Sequence, residues 1–86
     1  MAVRVEKFKL EAEKLENGHW FLHKCDNQTV LLDISIFSVE AFDNMGLYNR
    51  HKNDKAGVYE VTGELIIDDG EVHYTTQSKF LRNSDV

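Results

Sequence analysis

The sequence predicts a mostly β domain, a small five-stranded antiparallel barrel with one short helix between strands 3 and 4. Three observations lead to this prediction. The segment Gly57–Leu81 alternates apolar and polar residues on both sides of an Asp-Gly turn, which is the pattern of a β-hairpin. Two other strand-like runs, His19–Cys25 and Thr29–Phe37, precede it. With 86 residues, 42% of them hydrophobic, the chain is long enough for one core, so residues 1–86 are predicted to form a single domain.

Residues 2–16 fit two different elements. As a helix, they would carry one apolar stripe, with Gly18 just past the end as a cap. As a strand, Val3 and Val5 would face one way, and the alternation that begins at Phe8 would follow after a one-residue offset, as at a β-bulge. Intrinsic propensity favours the helix. The barrel pattern of the following segments favours the strand, which we expect, with the helix as the alternative.

The runs His19–Cys25 and Thr29–Phe37 are predicted to form a hairpin, because only three residues separate them. Four residues of the second run share one face of that strand and are predicted to lie in the core: Val30, Leu32, Ile34 and Ile36. In the first run, Trp20 and Phe21 are adjacent, so the two rings point to opposite faces of a strand and one of them must lie outside.

The middle of the chain predicts a short helix followed by a loop. Ser38–Met45 can form one or two helical turns, with Ser38 as N-cap and Gly46 as the stop. Leu47–Lys55 is polar and predicts a long loop. Gly63 lies inside the fourth strand, where a strand of a barrel must bend.

With this element order, the chain resembles the oligonucleotide/oligosaccharide-binding (OB) fold, a five-stranded, partly open Greek-key barrel. Residues 3–37, VRVEKFKLEAEKLENGHWFLHKCDNQTVLLDISIF, look like its first three strands, and residues 57–81, GVYEVTGELIIDDGEVHYTTQSKFL, look like its closing hairpin. Among OB proteins the chain looks most like the compact single-stranded-DNA-binding proteins of filamentous phages, which pair through a hairpin into dimers. The resemblance implies single-stranded nucleic-acid binding, a homodimer and a phage or mobile-element origin. Those proteins are neutral to basic, whereas this chain has a net charge of -5.

Seven residues are predicted to contact the nucleic acid: Trp20, Tyr48, Arg50, Lys52, Lys55, Lys79 and Arg82. The densest group is Tyr48–Lys55, where an aromatic ring precedes three cations. Such a group suits a single strand, because the ring stacks on a base while the cations follow the phosphates. Each group also has an alternative interpretation. Tyr48–Lys55 would be a solvated loop, and Lys79 and Arg82 would lie at a solvated strand end. The ring on the second strand would contact the core or a dimer partner. Lys7, Lys9 and Lys14 alternate with glutamates and predict a balanced, exposed face instead.

The net charge of -5 favours a different function, that of an acidic protein-interaction module. Nucleic-acid binders are usually basic, because neutralisation of phosphates supplies most of their non-specific affinity. If the carboxylates cluster in space, the domain is expected to bind a basic protein surface, including a host protein that itself binds nucleic acid, and to act as its inhibitor.

No enzyme, cofactor or metal site is predicted. His23 and Cys25 share a strand face, but two ligands are too few for a metal. Asp68 and Asp69 are explained by the hairpin turn, and the five glycines are too scattered for a phosphate-binding loop. One cysteine excludes an intrachain disulfide and fits a reducing compartment. Because charged residues follow the start of the chain at once, we expect no signal peptide, no membrane span and a cytoplasmic location.

Overall fold

The computed structural model describes residues 2–84, which form one four-stranded antiparallel sheet and three helices. The strands are β1 (Val3–Lys14), β2 (Trp20–Cys25), β3 (Gly57–Asp68) and β4 (Glu71–Arg82), and the helices are α1 (Gln28–Ile36), α2 (Ser38–Asn44) and α3 (Leu47–Arg50). The order across the sheet is β2-β1-β3-β4. The helices cover one face of the sheet, and we call the other the open face. The fold is mostly β, as predicted, but the sheet is open and has four strands, so the predicted five-stranded barrel is wrong.

The closing hairpin is confirmed over its whole length. β3 and β4 pair from one end to the other, and the turn between them contains Asp69 and Gly70 with φ of 53° and 87°. Two consecutive left-handed residues match the twist of the flanking strands, which is why Asp-Gly is favoured there. Tyr59, Val61 and Leu65 alternate onto the helix side and are buried, as the sequence predicts.

The first element is the expected strand. β1 pairs with β3 along all twelve residues without a shift of register. The predicted offset is therefore wrong: Val3 and Val5 lie on the open face, 57% and 49% exposed, and the buried series starts at Phe8. A shift occurs instead against β2, between Glu11 and Ala12. Packing against strands on both sides overrides the helical propensity of this segment.

The predicted third strand, Thr29–Phe37, is wrong, because these residues lie in α1 and its C-cap. Asn27 starts the helix: its Oδ1 accepts hydrogen bonds from the backbone N–H groups of Thr29 (2.9 Å) and Val30 (3.1 Å). A side-chain acceptor at this position satisfies N–H groups that have no partner within the helix. The amide of Asn27 also donates to the backbone oxygen of Lys7 at 2.9 Å, which fixes the start of α1 to β1.

The change from strand to helix alters which residues of this segment are buried. Val30 and Ile34 are one turn apart and are buried at 0% and 4% exposure. Leu32 and Ile36 point away from them and are each 60% exposed. Two of the four residues predicted for the core are therefore on the surface.

The core lies between the sheet and the helices. α2 confirms the predicted helical turns at Ser38–Met45, whereas the predicted loop Leu47–Lys55 begins with α3. The buried apolar residues are Phe8, Leu10, Ala12, Trp20, Val30, Ile34, Ala41, Phe42, Met45, Leu47, Tyr59, Val61 and Leu65. Within residues 2–84, no helix is long and apolar enough to cross a bilayer.

Candidate functional site

The two C-terminal cations predicted to bind nucleic acid lie on the open face, each beside a carboxylate. Lys79 Nζ is 3.6 Å from Glu60 Oε1, and Arg82 Nη2 is 3.0 Å from Glu11 Oε1. The hydrogen bond from Arg82 holds the pKa of Glu11 below its ordinary value. The sheet lies between these two cations and the helices.

On the helix side, Arg50 is used to attach α3 to β4. Its guanidinium donates to Ser78 Oγ at 2.8 Å, and to the carbonyl and Oγ1 of Thr76 at 3.1 and 2.9 Å. Nearby, Lys55 Nζ lies 4.0 Å from the centre of the Phe80 ring, a cation–π contact. Two of the three cations that Tyr48–Lys55 was predicted to offer to phosphates, Arg50 and Lys55, therefore have partners within the domain.

His51 links the loop after α3 to β4. Its Nδ1 is 2.7 Å from Asp54 Oδ2, and its Nε2 is 2.6 Å from Ser78 Oγ. This is the order of groups in a hydrolytic triad. However, His51 is only 6% exposed, and its ring packs between Trp20 and Tyr59 at centroid distances of 5.7 and 4.6 Å. The contacts of His51 with Asp54 and Ser78 therefore hold the loop after α3 against the sheet.

Three of the predicted residues do come together, in a cleft of about 350 Å³ that we call the Trp20 cleft. Its lining is Lys14, Glu16, Asn17, Gly18, Trp20, Tyr48 and Lys52. Trp20 is 4% exposed, so it forms an inner wall, and the ring of β2 that lies outside is Phe21, at 43%. Phe21 stacks on His23, with a centroid distance of 5.2 Å.

Lys14 is the residue of this cleft that the sequence placed differently. It was expected on an exposed face, but it is 7% exposed, and its Nζ donates to the carbonyls of His51 (2.5 Å) and Asp54 (2.6 Å). The periodicity of the strand could have predicted the burial of Lys14, because this residue shares a face with Leu10 and Ala12. Seeing its burial also required knowing that helices cover that face.

The largest group of exposed apolar side chains lies on α1 and the start of α2. Leu32 and Ile36 are one helical turn apart, and Phe37 and Val39 follow directly, with exposures of 60%, 60%, 50% and 60%. We call these four residues the α1–α2 surface. Phe37 also lines a shallow cleft with Val72, beside the turn of the closing hairpin. None of these four side chains belongs to the buried core, so packing in the core does not explain why they are apolar.

Along the chain, the residues around the α1–α2 surface carry charges of one sign, whereas in space Arg4 Nη2 also reaches Thr29 Oγ1 in the first turn of α1, at 3.4 Å. Residues 25–49 contain four carboxylates, at positions 26, 33, 40 and 43, and no lysine or arginine. The turn of the closing hairpin, beside Val72, adds three more carboxylates, at positions 68, 69 and 71. Asp33 accepts a hydrogen bond from the Tyr74 hydroxyl, whereas Glu40 and Asp43 are exposed. An apolar surface with an acidic border results.

The pair His23 and Cys25 does not share a face, because the register shift against β1 separates them. His23 Nε2 is 2.8 Å from Glu13 Oε1, and Cys25 Sγ donates to the Asn27 carbonyl at 3.5 Å. Among residues 2–84, no group of three or more histidine, cysteine or carboxylate side chains is placed to hold a metal ion.

Searches against protein families, curated proteins and solved structures found no match to this chain. Its function is therefore inferred from its own side chains, chiefly those of the α1–α2 surface and the Trp20 cleft.

Proposed function

We propose that this domain is a protein-interaction module that binds a basic protein through the α1–α2 surface. The observation that carries the proposal is the exposure of Leu32, Ile36, Phe37 and Val39 within a stretch that holds four carboxylates and no lysine or arginine. Scattered exposed apolar residues are ordinary, but a contiguous group with a polar border is typical of a binding surface.

Apolar side chains supply affinity at such a surface. Burying one of them fully against a partner contributes about 1.5–3 kcal/mol. Leu32 and Ile36 have the i, i+4 spacing by which a helix inserts into a groove. Since α1 is already fixed to the sheet through Asn27, Val30 and Ile34, little ordering is required when it binds.

The carboxylates select the partner. Complementary charge steers association and disfavours partners of the same sign, and its effect decreases as salt is added. Glu40 and Asp43 border the α1–α2 surface, and the turn at Asp68–Gly70 brings further negative charge beside Val72. A partner with apolar side chains ringed by lysine or arginine fits this surface. Proteins that bind nucleic acid commonly present such basic regions.

The test is capture of partners from a host lysate, with and without nuclease treatment, by three forms of the domain. The first is the wild type, the second is L32S/I36S, and the third is V3T/V5T, which removes exposed apolar groups from the open face. We expect partners bound by the wild type to be lost with L32S/I36S, retained with V3T/V5T, and released by added salt. Circular dichroism should show that all three are folded.

Two results would contradict the proposal. One is a set of partners unchanged by L32S/I36S. The other is the loss of every partner after nuclease treatment, which would show that nucleic acid had bridged them.

A second candidate function, binding of single-stranded nucleic acid, is favoured by the convergence of Trp20, Tyr48 and Lys52 on one cleft. Titration with oligo-dT tests it, with the emission of Trp20 as the signal. Non-specific binders usually reach dissociation constants of about 10⁻⁴–10⁻⁶ M at physiological salt. The absence of binding below about 100 μM at about 50 mM salt would therefore eliminate this candidate.

A further inference from the structure

We propose that the Trp20 cleft is a binding site for a small phosphate-bearing ligand of the nucleoside monophosphate class, with its phosphate held by Lys14 and the indole N–H of Trp20. This goes beyond both functions above, because it requires only the cleft and a small ligand. It rests on two buried donor groups, the indole N–H of Trp20, which has no partner among the described residues, and the ammonium of Lys14, which has two.

The first donor is the ammonium group of Lys14. The residue is 7% exposed, and the two hydrogen bonds of its ammonium go to neutral backbone carbonyls, those of His51 and Asp54. An ammonium has three N–H groups, so one remains. No ion pair joins Lys14 to a carboxylate within residues 2–84. Buried charges are normally paired, so an anion bound in the cleft would add the counter-charge that the two carbonyls do not supply.

The second donor is Nε1 of Trp20. It is buried and has no hydrogen-bond partner among the described residues. Buried donors without partners are rare in native structures, and each needs an explanation. Trp20 is directly opposite Lys14 in the pairing of β1 with β2, so the two side chains are neighbours on one face of the sheet. Contacts with Tyr59 and His51 hold the indole in place, with centroid distances of 5.3 and 5.7 Å.

The lining of the cleft indicates the class of ligand. Lys52 adds an exposed cation and Tyr48 a half-buried ring. A phosphate offers three oxygens and a negative charge, which suit the donors of Lys14, Trp20 and Lys52. The Tyr48 ring suits the flat base of a nucleotide. The volume of about 350 Å³ is in the range of small-ligand sites.

The experiment titrates the full chain with adenosine monophosphate, inorganic phosphate, acetate, adenosine and oligo-dT. The readouts are the emission of Trp20, the only tryptophan, and its indole N–H resonance. We expect a saturable shift of the indole resonance with adenosine monophosphate, a weaker one with phosphate, and none with adenosine. K14M keeps most of the apolar stem and removes the charge, and should weaken binding about tenfold or more.

K52Q is the second variant, because Lys52 is exposed and its loss should leave the fold intact. K7Q is the matched control on the open face, where Lys7 is also exposed. We expect K52Q to weaken binding of adenosine monophosphate and K7Q to leave it unchanged. The comparison of K52Q with K7Q tests the proposed phosphate site even if K14M fails to fold.

The proposal is overturned if adenosine monophosphate leaves the indole resonance unmoved, if acetate binds as well as phosphate, or if K7Q weakens binding as much as K52Q. Binding of oligo-dT without adenosine monophosphate would also overturn it, while leaving the nucleic-acid candidate standing. If adenosine monophosphate binds and oligo-dT does not, the proposal is supported and the ligand is a free nucleotide. If both bind, the proposal is supported and the phosphate can also come from a nucleic-acid strand.

Discussion

At the residue scale, Asn27 is the N-cap at which α1 begins, in a run of residues whose apolar alternation is that of a strand. Its side chain accepts from two backbone N–H groups of the helix and donates to β1. We expect N27A to lower the free energy of unfolding by about 0.5–2 kcal/mol, the usual cost of losing an N-cap. Urea unfolding measures this. N49A, at an exposed position, is the control, and equal effects of the two substitutions would contradict the assigned role.

Cys25 is expected to react slowly in the folded domain. Burial raises the pKa of its thiol above the ordinary value, so little of the reactive thiolate is present near neutral pH. Alkylation by iodoacetamide, followed by mass spectrometry, should be much slower in buffer than in urea. Equal rates in the two conditions would show that the thiol is accessible and ionised in the folded state.

At the element scale, the pairing of β3 with β4 depends on Gly63. A Cβ at this position would lie 2.0 Å from the carbonyl oxygen of Thr75 and 2.9 Å from Cα of Thr76, so a backbone would have to move. The glycine was predicted at a bend of a barrel strand. The structure gives a different reason, the close approach of β4.

The substitution G63A should therefore lower the melting temperature far more than G18A. Gly18 has a φ of 89° and open space around it, so alanine there costs only the strain of a left-handed residue, roughly 1–2 kcal/mol. Thermal unfolding of both variants measures the difference. A G63A domain as stable as G18A would show that the strands separate easily at this point.

The elements that sequence reasoning predicted correctly have local signals. The Asp-Gly turn defines the closing hairpin, and Gly46 follows the C-cap of α2 with φ of 82°. Ser38, predicted as the N-cap, is instead the first residue of the helix, because the N-cap position is taken by Phe37. α1 was missed because Val30, Leu32, Ile34 and Ile36 alternate as they would in a strand. The two of them that are buried, Val30 and Ile34, also have the i, i+4 spacing of a helix, so the same residues fit both elements. The Trp20 cleft was predicted only in part, since the burial of Lys14 depends on helices that cover β1 from elsewhere in the chain.

At the scale of the whole molecule, hydrogen bonds to carboxylates make stability dependent on pH. The pKa values of Glu6, Glu11 and Glu13 are lowered, chiefly by hydrogen bonds from Asn27, Arg82 and Ser84 respectively. A lowered pKa means that the folded state binds the proton less readily than the unfolded chain. The stabilisation is therefore complete above the ordinary value of 4.5 and is lost as the pH falls through the lowered values.

The urea midpoint should consequently decrease between pH 6 and pH 3, and E11Q/E13Q should show a smaller decrease than the wild type. E40Q/D43Q is the matched control, because these two carboxylates border the α1–α2 surface and form no ion pair within residues 2–84. A midpoint that does not change with pH would contradict the contribution assigned to the β1 glutamates.

The distribution of charge and apolar surface over the whole molecule favours a partner that binds on the helix side, at the α1–α2 surface. The open face carries glutamates paired with Lys24, Lys79 and Arg82, whereas the helix side presents the α1–α2 surface with its acidic border. A domain of net charge -5 in this arrangement is suited to a basic protein partner.

The most direct test of this account is the dissociation constant of a captured partner for the wild type and for L32S/I36S, measured by calorimetry at one salt concentration. We predict that the double substitution weakens binding about tenfold or more, because two apolar anchors are lost, while V3T/V5T binds as the wild type does. Equal affinity of L32S/I36S and the wild type, with both proteins folded, would contradict the central claim.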